Sequence, residues 1–134
     1  MQQNSPCLEP LRSGGAPPEP VPAARRNGEK RVQKVYALYK LKPGVTAEEY
    51  VEWSKTVDQE ITRRQPCVRS FRVFQLAGSR GGPSPWDVVE DIEVESWDAW
   101  QECLTTPEMA DVVAGFRKMV DRESAITVFG SEIA

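Results

Sequence analysis

The chain has 134 residues and a formal net charge of −3, and this acidic balance argues against nucleic-acid binding, which usually requires a basic face. Hydrophobic residues make up 40% of the chain and charged residues 28%, as in soluble globular proteins. Because no apolar run approaches the roughly 20 residues of a membrane span, we expect a cytoplasmic protein without nucleic-acid or membrane partners.

The chain contains no histidine, which removes the usual general base at neutral pH and the commonest metal ligand. Acid–base chemistry must then come from carboxylates, Lys, Tyr, Cys or groups of the substrate. The three cysteines are scattered and follow no secretory signal, which indicates a reducing compartment. The sequence also lacks a phosphate loop, a metal-binding cluster and a dinucleotide fingerprint. We therefore predict no metal and no cofactor.

Residues 1–30 differ in composition from the rest of the chain. They hold six of the eleven prolines, together with a Gly14–Gly15 pair, and carry little apolar mass. Such a segment cannot bury enough surface to offset the entropy of ordering. We predict a disordered tail over 1–30 and one folded domain over 31–134.

The folded part begins with a strand and alternates between strand and helix patterns. Segments rich in β-branched and aromatic residues predict four strands, near 32–42, at 68–76, at 86–94 and at 125–133. Thr46 and Glu49 form a capping box that opens the first helix, and Pro66 ends it. Thr106–Pro107 predicts a restart within the second helical region.

The order β-α-β-β-α-β is that of the ferredoxin-like fold, an α+β class with helices on one face of a four-stranded antiparallel sheet. Apolar residues occur on both faces of the predicted strands. Phe71, Val73 and Val89 alternate with Phe74 and Val88. This two-sided pattern predicts a homodimer in which a second copy covers the open face of the sheet.

Glu90 lies in the middle of the apolar face of the third strand, which also carries Val88, Ile92 and Val94. If the 77–85 loop is symmetric, Arg72 lies opposite Glu90, at the distance of about 5 Å that separates cross-strand β-carbons. By the same register Arg69 lies opposite Glu93. Arg72 and Glu90 then form either a structural ion pair or part of a ligand cleft, and the sequence leaves both open.

Several segments resemble the dimeric α+β barrel superfamily and, within it, the RedY-like (HapK type) family. These are "LYKLKPGVTAEEYVEW", "VRSFRVFQL", "WDVVEDIEVES" and "TPEM"; Trp53, Val57 and Asp58 point to the narrower group. The resemblance covers about residues 32–134. It implies a small, cofactor-independent protein that acts on or binds an aromatic intermediate of a prodiginine- or polyketide-like pathway. Several related families of the superfamily use a catalytic histidine, and because this chain has none, that role cannot be carried over to it.

Six residues are candidates for the site. Arg72 and Glu90 are the catalytic candidates, and Tyr50 and Trp53 are expected to line a flat aromatic pocket, although core packing explains Trp53 equally well. Tyr39 joins them if it, rather than Tyr36, faces the cleft. The charged surroundings of Asp58 predict a solvated face, and the resemblance alone places it among the ligand-binding candidates.

The function we expect is an enzyme that performs cyclisation, dehydration, condensation or oxidation on a small aromatic molecule. A non-catalytic binder or carrier of a reactive intermediate is the first alternative. A stress-responsive type of barrel, with its cleft filled by side chains, is the second. Turnover separates the enzyme from the carrier, and an empty cavity beside Glu90 counts against the filled barrel.

Overall fold

The structure, a computed structural model, describes residues 33–133. The predicted tail and Cys7 lie outside the described residues. The elements are β1 (Gln33–Leu41), α1 (Ala47–Trp53, continued by a π-helical segment Ser54–Asp58 and a last turn Gln59–Thr62), β2 (Val68–Gln75), β3 (Val88–Val94), α2 (Trp97–Cys103), a 3₁₀ turn (Pro107–Met109), α3 (Ala110–Met119) and β4 (Val120–Ser131). None of the helices over 33–133 is long and apolar enough to cross a membrane.

The four strands form one antiparallel sheet in the order β2-β3-β1-β4. The helices pack on one side, called here the core face, and the other side is the open face. The core face carries the largest buried side chains of the sheet, among them Val35, Tyr39, Phe71 and Ile92. The predicted α+β, ferredoxin-like architecture is confirmed.

The open face is apolar at one end of the sheet. Phe74, Val89, Leu38 and Ile126 form a row across all four strands, since each is the register partner of the next. The side chains of Phe74 and Ile126 are 47% and 44% exposed. The predicted two-sided apolar character is present, but Phe71 and Val73 belong to the core face, not to the face of Val89.

The predicted pair of Arg72 with Glu90 is wrong. Val68 pairs with Val94, as the predicted register requires, but a bulge between Val68 and Ser70 shifts every later pair by one residue. Because side chains alternate between faces, this slip moves Arg72 to the open face. There Arg72 donates to Asp91 at 2.8 Å, and Lys34 binds the other carboxylate oxygen of Asp91 at 2.6 Å.

The same bulge removes the predicted pair of Arg69 with Glu93. Ser70 takes the position opposite Glu93, and Arg69 falls within the bulge. Glu93 instead accepts from Lys34 at 3.4 Å. The charges on the open face therefore compensate one another and leave Glu90, on the core face, without an arginine partner from β2.

Helix α1 begins as predicted and then departs from regular α geometry. Both halves of the capping box are present: the Thr46 hydroxyl accepts from the backbone of Glu49, and the Glu49 carboxylate accepts from the backbone of Thr46. The wider π-helical turn over Ser54–Asp58 follows. Turns of this kind occur often at functional sites.

The π-helical turn changes which residues of α1 face the sheet. Tyr50, Ser54, Asp58 and Thr62 are spaced by four residues, and each is at most 4% exposed. A regular helix of 3.6 residues per turn would rotate such a row steadily away from the core. The predicted solvated face for Asp58 is wrong because the widened turn keeps this polar row buried.

Candidate functional site

A cavity of about 390 Å³ lies between the core face of the sheet and the helices. Its walls are mostly apolar and include Val35, Phe71, Ile92, Trp100, Met109 and Phe116. The register places Ala37 between Glu90 and Thr127 in one row of the core face, and all three line the cavity. The short side chain of Ala37 leaves room in the centre of the sheet, where a larger residue would fill the space.

Glu90 is the carboxyl group on the sheet side of this cavity. Two tyrosines that do not line the cavity connect to it through hydrogen bonds. The Tyr39 hydroxyl donates to Glu90 Oε2 at 2.5 Å, and the hydroxyls of Tyr39 and Tyr50 are 2.5 Å apart. Because the Tyr39 proton points to Glu90, Tyr50 is the donor in the second bond. Two tyrosines of different elements thus fix the orientation of one buried carboxyl group.

Asp58 is the carboxyl group at the helix side. It lines the cavity, is 2% exposed, and its Oδ1 accepts from the Thr62 hydroxyl at 3.2 Å. Its Oδ2 is buried and has no hydrogen-bond partner within the described part of the chain. A buried polar atom without a partner is costly, which indicates that the site is arranged for something other than stability.

Burial raises the pKa of both carboxyl groups. For Glu90 the desolvation is reinforced by the nearby Asp58, and the Tyr39 hydroxyl opposes it by stabilising the charged form. For Asp58 desolvation again dominates, while the Thr62 hydroxyl and the charge of Arg63 oppose the rise in pKa. The two groups influence one another, so they release their protons as a pair rather than independently.

Glu90→Gln is expected to flatten the dependence of stability on pH. A raised pKa in the folded state means that the folded protein holds the proton more tightly than the unfolded chain does. The free energy of unfolding therefore falls as pH rises from the ordinary carboxyl value, about 4.3, to the folded pKa, by about 1.4 kcal/mol for each unit between them. The amide that replaces the carboxyl group cannot ionise, and this loss then shrinks.

Urea unfolding of both proteins between pH 5 and pH 8 measures the effect. Glu93→Gln is the matched control, since Glu93 lies on the same strand but on the open face beside Lys34. The control should keep the wild-type slope. A Glu90→Gln protein that loses as much stability as the wild type across this range would contradict the raised pKa of Glu90.

The structure brings four of the six predicted site residues together and separates two. Glu90 and Asp58 line the cavity, and Tyr39 and Tyr50 lie outside its lining, joined to Glu90 through hydrogen bonds. Trp53 packs on Tyr50, with ring centroids 5.8 Å apart, and does not line the cavity. Arg72 lies on the open face, bound to Asp91. The sequence left open whether Tyr39 or Tyr36 faces the core side of the sheet. The structure places Tyr39 there, because Tyr39 is buried and Tyr36 is 37% exposed.

The helix α3 and strand β4 contribute lining residues that the sequence did not single out. Phe116 is one of them and belongs to α3. Arg117 and Arg122 lie at the cavity where α3 passes into β4. The polar row of Ser54, Asp58 and Thr62, at a spacing of four from Tyr50, was the signal that could have revealed the buried carboxyl group on α1.

The four-stranded sheet with its helices on one face defines a protein of the ferredoxin-like, α+β type. A family model described as the REDY-like protein HapK matches residues 33–133. The chain therefore belongs to the RedY-like (HapK) family. A comparison with curated proteins finds no match.

Solved structures show the same fold at low sequence identity. HapK from Hahella chejuensis aligns with a TM-score of 0.64 and 20% identity, covering 76% of this chain and 93% of that one. An EthD-family protein from Bacillus halodurans gives 0.61 and 20%, with 76% and 99% covered. A protein from Thermobifida fusca, described as dimeric, ferredoxin-like and of unknown function, gives 0.60 and 16%, with 76% and 92% covered.

Proposed function

We propose that the protein is an enzyme that uses Asp58 and Glu90 for proton transfer on a small aromatic molecule held in the cavity. One observation carries the proposal: two buried carboxyl groups with raised pKa values line a mostly apolar cavity, and one oxygen of Asp58 has no partner among residues 33–133. Perturbed carboxyl groups in a cleft are typical of acid–base sites.

The chemistry follows from the different surroundings of the two groups. Glu90 accepts from Tyr39, which keeps its carboxyl group fixed in orientation. Asp58 lines the cavity, has one oxygen without a partner among the described residues, and can donate a proton to a carbonyl, imine or hydroxyl group of the ligand. Glu90 accepts a proton from another atom of the ligand. This exchange suits condensation, dehydration and cyclisation, in which one atom gains a proton and another loses one.

The apolar walls support an aromatic substrate. Phe71, Trp100 and Phe116 offer ring faces or edges to the cavity, and its volume lies near the lower end of the roughly 300–1,000 Å³ usual for small-molecule sites. A flat molecule of two or three rings suits this space. The family membership supports the same class, because the resemblance described above is to proteins of natural-product pathways.

A carrier of a reactive intermediate is the second candidate, and the same cavity supports it. A carrier needs the volume and the apolar walls but gains nothing from a carboxyl oxygen without a partner. Turnover distinguishes the two candidates. An enzyme converts many equivalents of its ligand, and a carrier releases at most one per protein chain.

We also propose that the protein is a homodimer joined through the open face. Its apolar row has Phe74 and Ile126 exposed and Val89 and Leu38 only partly buried, so covering the row with a second chain would remove apolar surface from water. Two of the similar solved proteins are described as dimeric, which supports this arrangement. A dimer through the open face leaves the cavity, on the core face, available to the ligand.

The experiment compares small-molecule extracts of the source organism with and without the gene by liquid chromatography and mass spectrometry. We expect one aromatic mass to accumulate in the deletion strain. Purified protein added to that extract should consume the mass in many equivalents, and the mass of the product identifies the reaction. Consumption of no more than one equivalent would support the carrier instead, and an unchanged profile would overturn both candidates.

A further inference from the structure

Arg117 and Arg122 are the cationic side chains of the cavity lining, and both are exposed at its entrance. Arg117 lies in the last turn of α3 and Arg122 near the start of β4, so the connection between the two elements places them at one edge. Within residues 33–133 neither guanidinium has a carboxylate at ion-pair distance. Two positive charges without a carboxylate partner among the described residues thus border a cavity that also holds two carboxyl groups.

The position of Arg122 follows from an irregularity of β4. Leu38 pairs with Ile126 and Lys40 with Asp121, so the stretch 122–125 lies opposite Tyr39 alone. Ser124 closes this bulge, since its hydroxyl accepts from the backbone of Lys40 at 2.8 Å and donates to the carbonyl of Asp121 at 2.6 Å. Bulges often redirect a side chain next to a site, and this one sets Arg122 at the cavity.

We propose that the ligand is an aromatic anion whose carboxylate or similar acidic group binds Arg117 and Arg122 at the entrance, while a neutral hydrogen-bond acceptor at its opposite end meets Asp58. This inference deepens the proposed function, on which it rests, by naming the class of substrate. Guanidinium groups bind carboxylates through paired hydrogen bonds, and the inner carboxyl groups disfavour an anion at the deep end. The two ends of the cavity therefore set the orientation of the ligand.

Two probe molecules of similar shape, one anionic and one neutral, test this orientation of the ligand. 6-Methoxy-2-naphthoate carries an anion at one end and an ether acceptor at the other, and 6-methoxy-2-naphthamide has nearly the same shape without the charge. Titration followed by two-dimensional amide NMR gives the affinity, and shifts of Ala37, Ile92 and Thr127 show that binding is in the cavity. We expect the naphthoate to bind at least about tenfold more tightly than the amide, as one charge-assisted contact provides.

The double variant Arg117→Gln/Arg122→Gln should lose this preference and keep the affinity for the amide. Lys118→Gln is the control, because Lys118 is an exposed cation of the same helix turn that does not line the cavity. It should keep the preference. Equal affinities of the two probes for the wild type, or a preference that survives in the double variant, would overturn the inference.

The outcomes also separate this inference from the proposed function. Binding of the amide in the cavity without any preference for the anion would leave the aromatic site intact and remove only the role of the arginines. If neither probe shifts the signals of the cavity residues, the proposed aromatic site fails as well, and the inference fails with it.

Discussion

Asp58→Asn and Glu90→Gln should each lower turnover of the accumulated aromatic intermediate by about 10²–10⁴-fold, the usual contribution of a positioned acid or base. Both replacements keep the shape of the side chain but remove the exchangeable carboxyl proton. Because each also removes a buried ionisable group with a raised pKa, neither should destabilise the fold at neutral pH. A loss of turnover without a loss of stability would distinguish a role in proton transfer from a structural one.

The rate is measured as product formed by purified variants added to the deletion extract, with unfolding curves recorded on the same samples. Glu93→Gln is the control, as a carboxylate of the same strand on the open face. Its turnover should equal that of the wild type. A Glu90→Gln protein that keeps full turnover would remove Glu90 from the reaction, and full turnover of Asp58→Asn would remove Asp58.

Phe74→Asp combined with Ile126→Asp should convert the protein from dimer to monomer. The two side chains lie at opposite ends of the apolar row on the open face, and two charges there would have to be buried without partners in a dimer. Analytical ultracentrifugation across a range of concentrations measures the change. We expect association to weaken by at least about a hundredfold.

Ala114→Asp provides the control for added charge, because Ala114 is exposed on α3, on the helix side of the sheet. This variant should remain dimeric. A wild-type protein that sediments as a monomer at all concentrations would contradict the proposed dimer. A double variant that still associates as tightly as the wild type would move the interface away from the open face.

The sequence predicted the fold because its strongest signals are local. Alternating strands, the Thr46–Glu49 capping box and the Thr106–Pro107 restart each depend on residues close together in the chain, and the structure confirms them. The buried position of Glu90 was also predictable from the alternation of β3.

The site was harder to predict because two small irregularities decide it. One extra residue in β2 reverses the face of Arg72, and nothing in "VRSF" marks which residue is bulged. One widened turn in α1 buries Asp58 where a regular helix would expose it. The cavity itself results from the absence of a large side chain at Ala37, and such a space depends on the packing of all the elements around it.

The central claim is that Asp58 and Glu90 together retain a proton at neutral pH and present it to the cavity. The direct measurement is a titration of the side-chain carboxyl carbons by NMR in protein labelled with ¹³C, with Asp58→Asn and Glu90→Gln used to assign the two signals. We expect at least one of the two groups to remain protonated at pH values where the exposed carboxylates are fully ionised, and the removal of either one to lower the pKa of the other. Two groups that both ionise with the ordinary carboxylates, near pH 4, would contradict it.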